Sequence, residues 1–194
     1  MKRILGVIGS PRRNGNTDLL VNHILEGAKA KGAAVNSIFL NDLTIKECDG
    51  CHLCWRGKPC PKNDDMCRLY PEIIASDVII FGTPVYWYGP TALMKGFIDR
   101  FVYFNTPENR KKIKGKAGVL VVPFEEEEWG TVAPVVSFFE KSLTYLEIKL
   151  VEKIIVPGVC LPGEVLKQEA ALAKATALGH KLSALPNPAE IPEI

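Results

Sequence analysis

The chain has 194 residues, 47% of them hydrophobic and 24% charged, with a formal net charge of +2. That length and composition suit one globular domain with its own core, and so small a positive excess, with no Lys/Arg stripe, argues against a nucleic-acid surface. The N-terminal MKRILGVIGSPRR starts with two basic residues, but its apolar run stops at Ser10, too soon for a signal peptide, and no stretch is long enough to cross a bilayer. The expectation is therefore a cytoplasmic protein with no membrane contact.

Residues 4–8 are a short apolar run closed by Gly9 and read as a buried strand. Residues 17–31 carry Leu20, Ile24, Leu25 and Ala28 at helical spacing, and residues 34–40 read as a second strand. A cysteine-rich loop follows over about 41–67, where Asp64 or Asp65 is placed to cap a helix ending near Ser76. Residues 78–82 form a third apolar run stopped by glycine, and the next helix aligns Leu93, Met94, Phe97, Ile98 and Phe101 on one face. A fourth strand at 117–122, a helix at 131–145, a fifth strand at 148–156 and an alanine-rich helix at 164–182 complete a domain over 1–185. Residues 186–194 read as an extended, proline-rich tail. Strands that are apolar along their whole length, alternating with helices, predict an α/β three-layer sandwich with a parallel sheet covered on both faces. Such folds bind ligands beyond the carboxyl ends of the strands, at the topological switch point, so the loops after strands one and three come first.

The loop after strand one reads GSPRRNGNT. It lacks both GxGxxG and GxxxxGK[ST], which removes a dinucleotide fingerprint and a nucleoside-triphosphate loop. It still has the parts of a phosphate site: hydroxyls on Ser10 and Thr17, the Asn16 amide and the forked donors of Arg12. Gly15 lets the backbone approach an anion, and the helix that follows presents its free N–H groups. A response-regulator receiver would need acidic residues at these strand ends, where Gly9-Ser10 and Gly82-Thr83 stand instead.

The loop after strand three, GTPVYWYGPT, puts three aromatics in a row before Gly89-Pro90 opens a helix. Three adjacent aromatics cannot all face the core from so short a loop, and a flat conjugated ring is their natural partner. A phosphate at one loop and a planar ring at the other describe flavin mononucleotide (FMN).

GSPRRNGNT, the cysteine run ending in NDDM and GTPVYWYGPTALMKGFIDR together resemble the NAD(P)H-dependent FMN reductase and iron–sulfur flavoprotein family of flavodoxin-like proteins, over residues 1 to about 123. The resemblance implies a flavodoxin-like sandwich of five parallel strands in the order 2-1-3-4-5, with FMN bound non-covalently. The phosphate would lie on Ser10, Arg12, Asn16 and Thr17 in the loop that also holds Asn14 and Gly15. The isoalloxazine would lie against Pro84, Val85, Tyr86, Trp87, Tyr88 and Gly89, with a third contact from residues 123–130. The implied activity passes electrons from NAD(P)H to a small acceptor such as a flavin or quinone, in a homodimer or dimer of dimers.

Cys48, Cys51, Cys54 and Cys60 have the spacing C-x2-C-x2-C-x5-C. Three thiolates spaced by three, with a fourth nearby, suit a [4Fe–4S] cubane, and Lys46, Arg56, Lys58 and Lys62 would favour its negative charge. The iron–sulfur flavoproteins share this spacing, which implies as the alternative function exchange of electrons between a cluster, FMN and a ferredoxin-type partner. Free redox-active thiols, zinc or disulfides remain open readings of the same residues, and Cys67 supplies a fifth thiol. Cys160, after the last strand, reads as a buried filler.

Overall fold

The computed structural model describes residues 1–186. Strands β1 (Arg3–Ile8), β2 (Ala34–Phe39), β3 (Val78–Gly82), β4 (Ala117–Pro123) and β5 (Lys149–Val156) form one parallel sheet in the order β2-β1-β3-β4-β5, as expected. Helices α1 (Asn16–Ala30) and α5 (Glu169–Ser183) cover one face, and α2 (Met66–Ala75), α3 (Ala92–Asp99) and α4 (Trp129–Tyr145) cover the other.

Side chains alternate across a strand, and here both faces meet helices. Leu5, Val7, Ile79, Phe81, Leu120 and Val122 pack towards α2, α3 and α4, whereas Ile4, Ile8, Val78, Ile80, Val119 and Val121 pack towards α1 and α5. Every residue of β3 and β4 is buried, which is why these strands read as unbroken apolar runs. The edge strands are partly exposed, and β5 carries Lys149, Glu152 and Lys153, charges that discourage pairing with another chain.

Three elements depart from the sequence expectations. The last helix is split: Glu164–Lys167 is a 3-10 turn, and α5 starts only at Glu169 after Gln168 leaves the helical region. The third helix stops at Asp99 and tightens into a 3-10 segment, Arg100–Phe104, which still buries Phe101 and Phe104 in the same core. The aromatic loop is a miniature hairpin, Val85–Tyr86 against Gly89–Pro90, with Trp87 and Tyr88 at φ 48° and 59° as its two turn residues. At the start of α2, Asp65 occupies the cap position without a side-chain cap bond, and Asp64 instead accepts from the Met66 N–H at 3.1 Å. The tail expected from residue 186 onward falls almost wholly in 187–194, outside the described residues. No helix among the described residues is long and apolar enough to cross a membrane.

Helices α1 and α5 cross in close contact through two glycines. A Cβ at Gly179 would stand 2.1 Å from the Ile24 carbonyl oxygen, and one at Gly27 would stand 2.3 Å from that of Thr176. In an open helix, Gly→Ala adds about 1 kcal/mol of stability. Gly179→Ala is therefore expected to reverse that sign and cost about 1–3 kcal/mol through overpacking. Gly96→Ala in α3, where a Cβ meets nothing within 4 Å, should show the ordinary gain; urea midpoints of both variants check the pair.

Candidate functional site

A pocket of about 340 Å³ opens beyond the carboxyl ends of β1, β3 and β4, a size within the usual range for a small-molecule site. Ser10, Arg12, Gly15, Asn16 and Thr17 form one wall, and Pro84, Val85, Tyr86 and Trp87 form another. Pro123, Phe124 and Glu125 come from the end of β4, and Val159, Cys160 and Pro162 come from the loop after β5.

The first wall is a turn leading into α1. Gly15 holds the N-cap position, and a Cβ there would stand 2.9 Å from the Arg12 carbonyl oxygen, so the turn is closed too tightly for a side chain. Asn14 sits at φ 54° and its N–H donates to Asp18 Oδ2 at 2.7 Å, which shapes the turn from outside the pocket wall. Ser10 and Thr17 are buried hydroxyl residues beside the helix N-terminus, a place where free N–H groups and the helix dipole favour an anion.

Arg12 and Asn16 do more than the sequence suggested. Arg12 Nη1 donates to the Cys160 carbonyl at 3.0 Å, while the Asn16 amide donates to Leu161 O at 3.0 Å and accepts from Val165 N at 3.1 Å. Both side chains thus pin the loop after β5 across the site. Glu164 fastens the same loop by accepting the Cys160 and Leu161 N–H groups, each at 2.8 Å, and these bonds hold its carboxyl below the ordinary value.

Cys160 is consequently not a buried filler: it is exposed and lines the pocket. The hydrogen bond with the Glu125 carboxylate, first among the causes, pushes its thiol pKa up and keeps it protonated at neutral pH. The turn residues PGVCLPG directly after a strand were the available signal, since strand ends on this side of the sheet are where ligands bind. The acidic run contributes Glu125 alone to the wall, and residues 126–128 are exposed.

The hairpin projects beside this pocket. Trp87 is 95% exposed and Tyr88 60% exposed, in backbone conformations that cost a non-glycine residue about 1–2 kcal/mol each. Tyr88 and Gly89 do not line the pocket itself.

Two threonines join the walls, and the sequence reading passed over both. The Thr91 hydroxyl accepts from Met94 N at 3.2 Å and donates to the Gly9 carbonyl. The Thr91 N–H donates to Thr83 Oγ1 at 3.1 Å, and that hydroxyl donates to Pro84 O at 3.0 Å. Thr91 is the N-cap of α3, a role that a threonine before an apolar helix announces.

A second depression is lined by Cys48, Cys51, Cys54 and Cys60, with His52, Lys62 and Tyr70 around them and Arg100 beneath. Cys51 is exposed and the other three are intermediate; Cys67 lies off this wall, its Sγ 3.5 Å from Lys62 O. Gly50, His52 and Gly57 all have positive φ, which lets the chain double back within a few residues. Burial pushes the Cys54 thiol up. The Lys62 ammonium pairs with Asp49 at 2.9 Å and, chiefly through that hydrogen bond, holds its carboxyl at about 2.

Among the described residues, no three ligand side chains stand at the mutual distances that a single metal ion requires. In a cubane each thiolate binds a different iron, so its ligands spread around a volume and do not converge on a point. Four cysteines that line one small concavity with Lys62 and Arg100 have the residue chemistry that such a group would need.

Residues 2–127 match the family described as NADPH-dependent FMN reductase. An iron–sulfur flavoprotein of Archaeoglobus fulgidus is 32% identical over 93% of this chain and 79% of its own. Another, from Methanosarcina thermophila, is 33% identical over about half of each chain, 52% in both cases. The solved structure of an NAD(P)H:quinone oxidoreductase from Methanothermobacter marburgensis aligns with a TM-score of 0.73 at 20% identity, covering 93% of this chain and 98% of that one, a likeness of fold. With a phosphate-type turn and an aromatic hairpin flanking one pocket at the switch point of a flavodoxin-like sheet, this chain belongs to the NADPH-dependent FMN reductase family and is an FMN-binding, NAD(P)H-dependent oxidoreductase.

Proposed function

We propose that the protein oxidises NAD(P)H at the expense of a small planar acceptor of the quinone or flavin class, in the pocket between residues 10–17 and the 84–90 hairpin. For a quinone, NAD(P)H and one proton from water yield NAD(P)⁺ and the hydroquinone. The observation that carries this reading is the meeting of a buried-hydroxyl helix N-terminus with exposed aromatic rings on one pocket. FMN, when bound, supplies the capacity to take up a hydride and to release electrons singly or in pairs.

In this reading the chain's own residues bind and orient. Ser10, Thr17 and the first N–H groups of α1 hold the phosphate, with Arg12 adding charge from the wall. Pro84, Val85 and Tyr86 flank the ring system, and Trp87 and Tyr88 offer faces on which a nicotinamide or quinone stacks. Arg12, Asn16 and Glu164 keep the loop after β5 folded down over the phosphate end.

A second reading is favoured by the four cysteines on one depression, by the buried arginine beneath them and by the name iron–sulfur flavoprotein that the relatives carry. In it Cys48, Cys51, Cys54 and Cys60 hold a [4Fe–4S] cluster, and single electrons are exchanged with a ferredoxin-type partner.

Thr17→Val, matched in volume, is expected to weaken FMN binding about ten- to a hundredfold, the value of a hydrogen bond to a charged group; quenching of flavin fluorescence reads it. Glu164 has a folded pKa below its ordinary 4.5, so its hold on the loop is complete above that pH and is lost as pH falls through the folded value. Glu164→Gln should therefore bind FMN less tightly than wild type at neutral pH, with the difference closing in acid. Steady-state NAD(P)H oxidation with added quinone tests the leading reading. Turnover supports it, reduction by a ferredoxin system alone transfers the function to the cysteine site, and failure of both in protein loaded with FMN overturns both readings.

A further inference from the structure

Beneath the cysteine loop lies a charge that neither the flavin pocket nor hydrophobic packing accounts for. Arg100, the first residue of the 3-10 segment after α3, has a side chain only 1% exposed, and the side chain of its partner Asp64 is likewise out of solvent. Nη1 donates to Asp64 Oδ2 and, at 2.9 Å, to the Lys46 carbonyl. Nη2 donates to Asp64 Oδ1 and to the sulfur of Cys60, both at 3.3 Å. Tyr70 Oη donates to the Arg100 carbonyl at 3.1 Å and helps to fix the backbone behind it.

A buried ion pair adds little stability over apolar residues of the same volume. What sets this pair apart is its orientation. The carboxylate holds one edge of the guanidinium, so the sulfur meets the positive end of a dry, neutral pair. Burial pulls the Arg100 pKa down, but the Asp64 hydrogen bond together with the charges of Tyr70, Asp64 and Cys60 more than offsets it and keeps the guanidinium charged; burial pushes the Asp64 carboxyl up, and Arg100 with the Lys46 N–H more than offsets that. Lys62 also faces the cysteines, yet it and Asp49 are 27% and 52% exposed, so water screens that pair as it cannot screen Arg100.

We propose that Arg100 is a positioning residue for the iron–sulfur site: its Nη2–H bond orients the Cys60 sulfur and raises the reduction potential of the cluster held there. This rests on the cluster reading given under Proposed function. Reduction adds one negative charge to a site already anionic, and an N–H donor to a ligand sulfur stabilises the more negative state. The planar fork is essential, because one group must grip the carboxylate and reach the sulfur together. A lysine ammonium is a compact point charge with no such reach.

The test compares anaerobically purified wild type with Arg100→Lys, which keeps the charge but not the fork. Iron and sulfide are assayed, and the midpoint potential is read by electron paramagnetic resonance against redox mediators. In parallel, wild type grown with isotopically labelled arginine is reduced and examined by electron spin-echo for coupling to labelled nitrogen. The expected result is about four irons per chain in both proteins. The reduction equilibrium constant should fall at least tenfold in Arg100→Lys, a shift of about 59 mV to more negative potential for a one-electron couple. Labelled-nitrogen coupling should appear in wild type and be lost in the variant. An unchanged potential with full iron, or no labelled-nitrogen coupling in wild type, overturns the role of Arg100 and leaves the cluster reading standing. Wild type that holds no iron even after reconstitution overturns the cluster reading and this role with it. Should Arg100→Lys fail to fold, judged by circular dichroism and FMN content, the wild-type spin-echo spectrum decides.

Discussion

The candidate flavin pocket depends on a short relay of buried hydroxyls at the switch point of the sheet. From Met94 N–H to the Thr91 hydroxyl to Gly9 O, and from Thr91 N–H to the Thr83 hydroxyl to Pro84 O, the loops after β1 and β3 are tied to one helix cap. The Gly9 N–H adds a bond to Gly82 O at 2.7 Å. Position 9 has no room for a side chain, because a Cβ would stand 2.7 Å from that of Met94. Buried polar groups without partners cost more than paired ones return. The two walls therefore close as a unit or not at all, and the distance between the phosphate-type turn and the aromatic hairpin follows from that closure.

The protein carries two anion-friendly sites built on different physics. At the flavin pocket the favourable potential comes from helix N–H groups, hydroxyls and a partly exposed arginine, in an opening that admits solvent and substrates. Glu125 and the protonated Cys160 thiol sit on the opposite wall, so the positive character is confined to the end near α1. Under the cysteine loop the charges are buried and paired, Arg100 with Asp64, and their effect on a neighbouring sulfur is little screened. An open site suits exchange of ligands, and a dry one suits a fixed group whose potential must be set.

Much of this was legible in the residues. The unbroken apolar runs of β3 and β4, the glycines that end β1 and β3, and the helical spacing of Leu20, Ile24 and Leu25 placed the parallel sheet and its switch-point loops, and the family resemblance supplied the strand order. The motifs GSPRRNGNT and GTPVYWYGPT were recognisable because a local turn and the helix after it are properties of neighbouring residues. The cysteine spacing drew attention to one loop for the same reason.

What was not legible depends on approach between distant segments. In FIDRFVYF, nothing singles out Arg100, which lies outside the apolar set Leu93, Met94, Phe97, Ile98 and Phe101, and only the fold carries Asp64 and Cys60 to it across 36 and 40 positions. Cys160 looked like a core residue until Arg12 and Asn16, some 145 positions earlier, drew its loop across the pocket. The sequence by itself determined the elements, their alternation along the chain and the two loops at the switch point, because periodicity and turn chemistry are local. Tertiary structure alone decided which charges are buried, which thiol lines the pocket and which hydroxyls join its walls, because desolvation and hydrogen-bond partnership arise only once remote residues are packed together.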